Sequence, residues 1–471
     1  MHDLLLRLHA LSPKQFQLDS RQVTEGDVFV CRQGTLQDSH EFADCAVKQG
    51  AIGIIANRPL PVPVPCLITP NFTTSVAIID QYLEHPGDAL RQIGITGTNG
   101  KTTVAFGLHH LLNDNNTSSY SGTLGTLTQG DWTQQLNTTP DSLTLLNRFK
   151  RYQDLGLTHH VMEVSSHALA QDRVDSIRYD LALFTNITED HLDYHLSVDA
   201  YQQAKLRLIE KLKPSGKVIY NLDDDSHIVI NARCRARFDT FSYSRQNPKA
   251  DLFGEVINLS AQGSEVVFHY QGQQQHCTLN LPFLHNVDNA LAMASAALME
   301  GIPLVEVANK LQTLPRVPGR SECYQHQGKA IIVDYAHNQA SVASLLRQCQ
   351  QIKNGKLHTI IGVTGDRLAD AAGIGSTVRE LSDEVTFTTD NPLGVPVNRI
   401  FAELDPDALC HKQADRELAI QRAIKKMKSG DLLVICGKGE EQHQYLSSDK
   451  SMPTPYRGDI AIVKSCLSEL A

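Results

Sequence analysis

A short apolar strand in this chain runs directly into a glycine-rich turn and then into a helix, and few folds accommodate that order. Residues 91–96 are strand-like, and the sequence after them reads Gly97-Thr98-Asn99-Gly100-Lys101-Thr102-Thr103. Apolar residues then recur at helical spacing from Val104 to Leu112. Glycine lets backbone N–H groups approach phosphate oxygens, and a helix N-terminus favours negative charge. The segment therefore predicts a phosphate-binding loop in a mononucleotide-binding parallel sheet.

The residues of this turn have tasks that follow from their chemistry. Lys101 can reach the terminal phosphates of a nucleotide, and the hydroxyl of Thr102 can ligate Mg²⁺. The match to the strict phosphate-loop pattern is imperfect because Gly94 lies one residue too far upstream, so a glycine turn before an ordinary helix is the alternative. The predicted nucleotide-binding residues of the turn are Gly97, Thr98, Asn99, Gly100, Lys101, Thr102 and Thr103.

Strands and helices alternate along the 471 residues, which predicts an α/β fold in three domains. Residues 1–88 are predicted to form a small N-terminal α/β domain. Residues 89–315 are predicted to form the central domain, with the phosphate-binding loop and its parallel sheet, although residues 250–281 change to short alternating strands. Residues 316–471 show the doubly wound order of a Rossmann-like domain.

Charge and cysteine usage argue against several classes of function. The formal net charge is −9 and no basic stripe is present, so we expect no nucleic-acid partner. No apolar run reaches the ~18 residues of a membrane span, and the N-terminus lacks the pattern of a signal peptide. We therefore expect a cytoplasmic protein without a membrane partner. The ten cysteines are scattered without a CxxC pair, which predicts reduced thiols rather than zinc ligands.

Three further side chains of the central domain are candidates for a site. Glu163 ends an apolar strand, and a carboxylate at that end of a phosphate-loop sheet is well placed for Mg²⁺. His191 follows the next apolar strand and could be a metal ligand, although a lone histidine is usually structural. Lys205 lies in a helical segment that begins at residue 200, and such a lysine by itself is predicted to be a solvent-exposed surface residue.

Several motifs in the same order resemble those of the Mur ligases, and within that family the enzymes that add the third peptide residue to UDP-N-acetylmuramoyl-L-alanyl-D-glutamate. The most specific are the turn described above, Glu163-Val164-Ser165-Ser166-His167, the segment from Thr185 to Asp193, and Asp334-Tyr335-Ala336-His337. The resemblance covers nearly the whole chain. It implies an ATP-dependent, Mg²⁺-requiring ligase of peptidoglycan precursor synthesis, which joins a carboxylate to an amine through an acyl phosphate and releases ADP and phosphate.

The resemblance also implies roles for individual residues. The implied catalytic residues are Lys101, Glu163, His191 and Lys205. The implied Mg²⁺ ligands are Thr102, Glu163, His191 and Lys205, the last as a carbamate, which would turn its cation into an anion. Further ATP contacts are implied at Asn289, Arg320 and Asp334. The implied contacts of the UDP-sugar and dipeptide are Ser20, Arg21, His40, Asn137, Thr138, Thr139, Ser165, Gln171 and Arg173.

The C-terminal domain is implied to bind the incoming amino acid, and there the sequence departs from the family pattern. Leu393 stands where diaminopimelate-adding enzymes carry arginine, so a cation that would pair with a substrate carboxylate is lost. Glu440 stands where the family has histidine. These changes motivate the hypothesis of a paralogue with altered specificity. The implied amino-acid contacts are Arg367, for the α-carboxylate, and Asp390, Asn391, Gly437 and Glu441.

Three other interpretations stay open on the sequence. A folylpolyglutamate or cyanophycin synthetase would share the phosphate-loop core but not the UDP-sugar-like segments within residues 19–42. A catalytically inert nucleotide-binding regulator would tolerate the altered amino-acid pocket, but the intact catalytic set argues against it. A plain phosphate-loop NTPase would not need a third α/β domain. The expected partners are the UDP-N-acetylmuramoyl-dipeptide, ATP and a free amino acid, and the expected state is a monomer.

Overall fold

The structure, a computed structural model, describes residues 2–34, 37–234, 237–449 and 452–469. The chain divides into two compact units. The first comprises Met1–Tyr243 and Ser295–Glu300, and the second comprises Ser244–Ala294 and Gly301–Ala471. Both contain parallel β-sheet with helices, so the predicted α/β class is confirmed. The boundaries of the three predicted domains stay a prediction.

The first unit begins with a parallel sheet whose strands follow the chain in the order β1-β2-β3-β4. Its strands are β1 (Phe16–Gln17), β2 (Val28–Val30), β3 (Gly53–Ala56) and β4 (Cys66–Ile68). Its helices are α1 (His2–Leu11), α2 (Ala43–Lys48) and α3 (Phe72–Tyr82). Short 3₁₀ turns follow Asp19 and Asp38, because each aspartate side chain accepts a hydrogen bond from the backbone N–H two residues later.

A larger sheet of the first unit has the strand order β12-β11-β10-β5-β9-β6-β7-β8. Pairing is parallel from β12 to β6 and antiparallel from β6 to β8. Its strands are β5 (Arg91–Thr96), β6 (Ser118–Gly122), β7 (Gly125–Thr128), β8 (Asp131–Thr133), β9 (His159–Glu163), β10 (Tyr179–Phe184), β11 (Leu212–Asn221) and β12 (Asp239–Ser244). The helices between them are α4 (Lys101–Leu112), α5 (Ser142–Asp154), α6 (Ser166–Ala170), α7 (Leu192–His195), α8 (Val198–Glu210) and α9 (His227–Cys234).

The register of three central strands places their carboxyl ends at one edge of this sheet. Ile95 of β5 pairs with Glu163 of β9, and Thr96 of β5 pairs with Phe184 of β10. These strands are almost wholly buried, as expected for parallel strands in the middle of a covered sheet. Segments that follow β5, β9 and β10 therefore meet, and ligands of parallel α/β sheets bind at such an edge.

The second unit contains the antiparallel strands β13 to β15 and a six-stranded sheet with the order β16-β17-β21-β18-β19-β20. It also contains a separate antiparallel pair, β22 and β23. Only the β16–β17 pair of the six-stranded sheet is antiparallel among its described pairs. The strands are β13 (Leu252–Ser260), β14 (Gly263–Tyr270), β15 (Gln273–Leu279), β16 (Glu322–His326), β17 (Lys329–Asp334), β18 (Leu357–Ile361), β19 (Glu384–Phe387), β20 (His411–Lys412), β21 (Leu432–Cys436), β22 (His443–Gln444) and β23 (Thr454–Pro455). The helices are α10 (Leu284–Met299, which ends in the first unit), α11 (Leu304–Gln312), α12 (Gln339–Ile352), α13 (Ala371–Leu381), α14 (Val397–Leu404), α15 (Arg416–Lys426) and α16 (Asp459–Glu469).

Two local predictions of strands are confirmed by these bounds. The predicted strand 91–96 is β5, and the short strands predicted within residues 250–281 are β13 to β15. All ten cysteines are free thiols. Among the described residues, no helix is both long and apolar enough to cross a membrane.

Candidate active site

The turn between β5 and α4 has the backbone shape of a phosphate-binding loop. Gly97 and Gly100 adopt φ angles of +151° and +85°, which glycine tolerates far better than other residues. A Cβ atom on Gly97 would collide with the hydroxyl of Thr185, which follows β10. Helix α4 then begins at Lys101, directly after Gly100. Both glycines are therefore required by the path of the chain.

The segment after β10 holds this loop by hydrogen bonds. The Thr98 N–H donates to the Asn186 carbonyl oxygen (2.8 Å), and the Asn99 N–H donates to the Asn186 side-chain oxygen (3.0 Å). The Thr185 hydroxyl donates to the Asn99 carbonyl oxygen (2.7 Å). Two of the predicted nucleotide-binding residues, Thr98 and Asn99, are thus fixed by the segment whose motif resembles the Mur ligases.

Two lysines meet at the carbonyl oxygen of Gly97. The Nζ of Lys101 donates to the Gly97 and Thr98 carbonyl oxygens (3.0 and 2.9 Å), and the Nζ of Lys205 donates to Gly97 (2.7 Å). Lys205 is 1% exposed, and its Nζ lies 4.5 Å from the ring centroid of Tyr201. Burial, and then the charge of Lys101, lower the pKa of Lys205 well below its ordinary value. The surface position predicted for Lys205 from residue type alone is wrong, because this face of α8 packs against the loop.

The Glu163 carboxylate is buried beside the loop among neutral hydrogen-bond donors. It accepts from the hydroxyl of Thr102 (3.0 Å), the hydroxyl of Tyr120 (2.8 Å) and the N–H of Thr123 (2.8 Å). A Cβ atom on Gly122 would collide with this carboxylate, so the strand next to Glu163 must carry a glycine there. The structure thereby brings two of the predicted Mg²⁺ ligands, Thr102 and Glu163, into direct contact.

His191 is held near the same loop in an unusual backbone conformation. It precedes α7 with a φ of +52°, and its Nε2 lies 3.6 Å from Asp190 Oδ2. Its ring packs edge-on against His167 with a centroid distance of 4.9 Å, and its centroid is 6.3 Å from that of Tyr201. Tyr201 also contacts Lys205. The four predicted catalytic residues therefore belong to one region of the first unit.

The donor set fits Mg²⁺ better than a transition metal. Among the described residues, no group of three or more His, Cys, Asp and Glu side chains is arranged to hold a metal. Of the predicted ligands, Glu163 and His191 are of these types, whereas Thr102 offers a hydroxyl and Lys205 an amine. Mg²⁺ is commonly bound by one or two protein oxygen ligands together with substrate phosphates. The Thr102–Glu163 contact fits that mode, while Lys205 fits it only as an anion.

Four residues implied for the dipeptide lie next to one another at the C-terminal end of β9. The Thr139 hydroxyl donates to the Glu163 carbonyl oxygen (2.8 Å) and accepts from the Ser165 N–H (3.0 Å). Arg173 donates from Nη1 to the Thr139 carbonyl oxygen (3.3 Å) and from Nε to the Gln171 side-chain oxygen (2.9 Å). The segment that precedes α5 is thus tied to the strand that ends at Glu163.

The two residues before Thr139 lie at the rim of the same region. Asn137 is exposed, and the hydroxyl of Thr138 lies 3.3 Å from the hydroxyl of Thr123. Because Thr123 also donates to Glu163, Thr138 is one contact removed from the buried carboxylate.

The residues implied for the UDP-sugar lie at the two 3₁₀ turns of the first sheet. Ser20 and His40 are buried, and His40 Nδ1 lies 2.5 Å from Asp38 Oδ1. Hydrogen bonding to His40 holds the pKa of Asp38 well below its ordinary value. Arg21 is exposed and forms an ion pair with Asp19 (2.7 Å). A polar surface with an exposed guanidinium can bind an anionic sugar nucleotide.

In the second unit, two of the three remaining residues implied for ATP lie on β17 and α10. Asp334 ends β17 and accepts from the N–H of Ser321 (2.7 Å). Asn289 is buried on α10, where its amide donates to the Asn286 side-chain oxygen (3.0 Å). Both side chains are therefore held in defined orientations by neighbours within this unit.

Arg320 makes several contacts with its own unit. Its Nη1 donates to Glu440 Oε2 (2.8 Å) and to the Gly319 carbonyl oxygen (3.1 Å), and the guanidinium carbon lies 4.3 Å from the Tyr335 ring centroid. Burial raises the pKa of Glu440, and the charge of Arg320 opposes that shift. Glu440, noted in the sequence as a departure, is thus the ion-pair partner of a residue implied for ATP.

A buried lysine organises the residues implied for the incoming amino acid. The Nζ of Lys438, which is 0% exposed, donates to Glu441 Oε2 (2.7 Å) and Asn391 Oδ1 (3.1 Å) and lies 3.5 Å from Asp390 Oδ1. Burial raises the pKa of Asp390 to about 6, and Lys438 opposes the shift. Gly437 has a φ of +112°, and a Cβ atom there would lie 2.7 Å from Asp390. Lys438, Asp390, Asn391 and Glu441, here called the Lys438 cluster, therefore set one cation against two carboxylates.

Arg367 and Leu393 complete this group without joining the cluster's ion pairs. Arg367 is half-buried, and no hydrogen bond or ion pair to its guanidinium is formed among the described residues. Leu393 adopts a φ of +49°, and its N–H donates to the Tyr445 carbonyl oxygen (3.0 Å). Of the implied amino-acid contacts, Arg367 thus offers a cation that no residue in the described part of the chain neutralises.

Sequence reasoning missed several residues that hold these groups. Tyr120 and Thr123 bind Glu163, Tyr201 covers Lys205, and Lys438 connects the amino-acid cluster. For Lys438 a signal existed, because it stands between Gly437 and Gly439 in a motif implied to bind the incoming amino acid. For Tyr120 and Thr123 no local signal exists, since their contacts with Glu163 join distant parts of the chain, whereas Tyr201 lies one helical turn before Lys205 on α8.

Comparison with protein families assigns most of the chain to one family. The family model of the Mur ligase middle domain matches residues 95–297. The family model described as Mur ligase, glutamate ligase domain, matches residues 319–439. The two matches contain both the phosphate-binding loop and the Lys438 cluster apart from its last member, Glu441.

Curated relatives match nearly the full length of the chain. The UDP-N-acetylmuramoyl-L-alanyl-D-glutamate–2,6-diaminopimelate ligase of Bacillus velezensis is 34% identical over 92% of this chain and 90% of its own length. The enzyme of the same name from Geobacillus thermodenitrificans is 36% identical over 92% of this chain and 91% of its own. The resemblance inferred from the motifs is therefore confirmed.

Solved structures agree with this assignment. A UDP-N-acetylmuramoyl-L-alanyl-D-glutamate–2,6-diaminopimelate ligase matches with a TM-score of 0.69 at 26% identity, over 97% of this chain and 95% of that one. The MurF ligase of Thermotoga maritima, solved with ADP, matches with a TM-score of 0.69 at 18% identity, over 100% and 99%. A folylpolyglutamate synthase of Thermotoga maritima shares the fold with a TM-score of 0.62 at 15% identity, but covers 77% of this chain and 89% of its own. By its sequence matches over nearly its full length, the chain belongs to the Mur ligase family.

Proposed function

We propose that this chain is an ATP-dependent, Mg²⁺-requiring ligase that adds an amino acid to UDP-N-acetylmuramoyl-L-alanyl-D-glutamate in peptidoglycan precursor synthesis. The observation that carries the proposal is the contact between Thr102 and the buried Glu163 carboxylate, beside Lys101. A strand-end carboxylate against the threonine of a phosphate-binding loop is typical of nucleotide-dependent phosphoryl transfer. The acceptor is proposed from family membership and from the names of the relatives.

The reaction would proceed in two steps. The free carboxylate of the dipeptide attacks the γ-phosphorus of ATP, the bond to the bridging oxygen breaks, and ADP leaves. The amine of the incoming amino acid then attacks the acyl carbon, inorganic phosphate leaves, and one proton is released as the amide forms. Lys101 would stabilise the charge that gathers on the transferred phosphoryl group, and such electrostatic stabilisation is usually the largest single contribution to rate.

Thr102, Glu163 and His191 would hold Mg²⁺, which neutralises charge on phosphate oxygens when it is bound. We propose that Lys205 carries a carbamate, formed when its buried uncharged amine adds to CO₂ and loses a proton. Its burial beside Lys101 supports this proposal, because a neighbouring cation stabilises the new anion. NMR after incubation with ¹³C-bicarbonate should show a carbamate resonance that is absent from Lys205→Met. A spectrum without the resonance in the wild type would contradict the carbamate alone.

The acceptor would be bound by groups of the first unit. We propose that Ser20, Arg21 and His40 contact the UDP-sugar and that the cluster around Thr139 contacts the dipeptide. The connection of Thr139 and Ser165 to the strand of Glu163 supports this, because it would bring a bound dipeptide close to the phosphate-binding loop. We also propose the domain division 1–88, 89–315 and 316–471, with a monomer as the working state.

The identity of the third residue depends on the groups implied to bind the incoming amino acid. The relatives are named for 2,6-diaminopimelate, which carries a second carboxylate. In this chain Leu393 replaces the expected arginine, and Lys438 is already paired with Glu441. A second candidate is therefore a paralogue that adds a diamino acid with one carboxylate, whose distal ammonium would face the excess negative charge of the cluster.

The test is release of phosphate from ATP by the purified chain with Mg²⁺, the UDP-dipeptide and a panel of amino acids that includes diaminopimelate and lysine. We expect release that requires both the UDP-dipeptide and an amino acid, with the extended UDP-peptide detected by mass spectrometry. ATP binding without turnover would favour an inert regulator. Release that needs no amino acid would favour a plain NTPase, and release independent of the UDP-dipeptide would rule out the peptidoglycan acceptor.

A further inference from the structure

The ion pair of Arg320 and Glu440 differs from the surface ion pairs of the second unit. Its side chains are 16% and 20% exposed, whereas Arg457 and Glu417, another Arg–Glu pair of this unit, are 47% and 35% exposed. Arg320 Nη1 bonds to Glu440 Oε2 at 2.8 Å, and its Nη2 lies 3.5 Å from Oε1. Two parallel contacts in a half-buried setting hold a guanidinium more firmly than one exposed contact does.

The backbone around the pair leaves it little freedom. Gly319 has a φ of +66°, and a Cβ atom there would lie 2.7 Å from Glu440 Oε2 and would collide with the Glu440 backbone nitrogen. Gly439 has a φ of +53°, and a Cβ atom there would lie 3.1 Å from the Tyr335 ring. Two glycines thus let the segments of Arg320 and Glu440 approach closely while Tyr335 covers the guanidinium. The carboxylate is positioned at Arg320 by the path of the chain.

We propose that Glu440 is a positioning residue that competes with a nucleotide phosphate for Arg320 and so weakens ATP binding by this chain. The inference rests on the proposed function, in which Arg320 contacts ATP. A phosphate oxygen that reaches Arg320 must either displace the Glu440 carboxylate or lie close to it. Like charges at short range oppose each other, and the cost is larger where water is excluded.

The charged and titratable groups that face Glu440 determine how this competition responds to pH. Arg320 favours the carboxylate, whereas burial and the neighbouring Glu441 favour its protonated form; Tyr335 also senses the charge of Glu440. As the pH falls through the raised pKa of Glu440, the carboxylate is neutralised and releases Arg320. The effect of removing its charge should therefore be largest at high pH and should shrink as the pH falls.

The experiment measures KM for ATP and kcat of the full chain in the wild type and in three single variants. Glu440→Gln removes the charge with little change of shape, and Glu440→Asp retains it. Glu417→Gln removes the same charge from the exposed Arg457 pair and serves as the matched control. We expect Glu440→Gln to lower KM for ATP by about three- to tenfold, more than it changes kcat, while Glu440→Asp and Glu417→Gln stay within about twofold of the wild type.

Arg320→Gln, alone and combined with Glu440→Gln, separates this inference from the proposed function. If Arg320 binds ATP, Arg320→Gln raises KM, and the gain from Glu440→Gln disappears in the double variant. An unchanged KM in Arg320→Gln would remove Arg320 from the nucleotide site while leaving the ligase intact. The competition would be overturned if KM for ATP is unchanged or raised in Glu440→Gln. It would also be overturned if the ratio of the wild-type KM to the Glu440→Gln KM does not shrink at low pH.

Discussion

The phosphate-binding loop of the first unit and the Lys438 cluster of the second unit hold buried charge in opposite ways. At the loop, Lys101 and Lys205 donate to backbone carbonyl oxygens, and Glu163 accepts from hydroxyl and amide groups. In the second unit, Lys438 donates directly to the carboxylate of Glu441. Carbonyl oxygens solvate a cation without cancelling its charge, whereas a carboxylate cancels it.

This difference indicates which kind of ligand each site suits. The loop places the Nζ of Lys101 on backbone carbonyl oxygens at the N-terminus of α4 and so suits a ligand of high negative charge such as a polyphosphate. The Lys438 cluster has neutralised its own cation and holds a second carboxylate, Asp390, which suits a ligand with an ammonium group, such as an amino acid. The departures from the family pattern, Leu393 and Glu440, lie in the second unit, while the loop residues match the family. Under the proposed function, the reaction machinery and the choice of substrate would thus be carried by different charge arrangements.

The largest expected effect tests whether the phosphate-binding loop acts on phosphate. Lys101→Ala removes the charge that would stabilise the transferred phosphoryl group, and we expect kcat for phosphate release to fall by at least about 10³-fold. Lys150→Ala removes an exposed lysine paired with Asp154 and should leave kcat unchanged. Retention of more than about a tenth of the activity in Lys101→Ala would mean that the loop does not act on phosphate.

The second prediction concerns the buried carboxylate at the loop. Glu163→Gln keeps the size of the side chain but removes its anion, so we expect kcat to fall by about 10²- to 10³-fold and the Mg²⁺ concentration at half-maximal rate to rise. A titration of activity against Mg²⁺ measures both. Glu210→Gln removes an exposed carboxylate paired with Arg233 and provides the comparison. An unaltered Mg²⁺ dependence would exclude Glu163 as a ligand.

The third prediction tests whether the Lys438 cluster is neutralised internally. Lys438→Met would leave Glu441 and Asp390 without their buried cation, and we expect the free energy of unfolding to fall by about 3–5 kcal/mol. Urea denaturation measures this loss. Arg457→Met breaks an exposed pair and should change stability by no more than about 1 kcal/mol. Equal losses in the two variants would show that the cluster is not a special charge arrangement.

The smallest expected effect tests how the second unit selects the incoming amino acid. Leu393→Arg restores a cation near the amino-acid cluster, and we expect the ratio of kcat/KM for diaminopimelate to that for lysine to rise by about tenfold. Leu393→Met preserves an apolar side chain and should leave the ratio unchanged. An unchanged ratio in Leu393→Arg would show that another residue reads the distal carboxylate of the substrate.

Local patterns predicted much of the fold, because they act within a few residues. Periodic rules that the sequence displays directly predict the strand before the loop and helix α4. Steric rules predict glycine at the two loop positions where φ is positive. The strand that ends at Glu163 was predicted for the same reason. Lys205 shows the limit, since residue type predicted exposure and the structure buries it.

The sequence by itself determined the family, the phosphate-binding loop and the position of Glu163 at a strand end, because each depends on short-range order along the chain. Only the tertiary structure decided which charges face each other. It set Lys205 at the carbonyl oxygen of Gly97, Tyr120 at Glu163, and Glu440 at Arg320. The physical reason is that these pairs are separated by 43 to 120 residues, so their energies arise from burial and strand register, which no local pattern encodes.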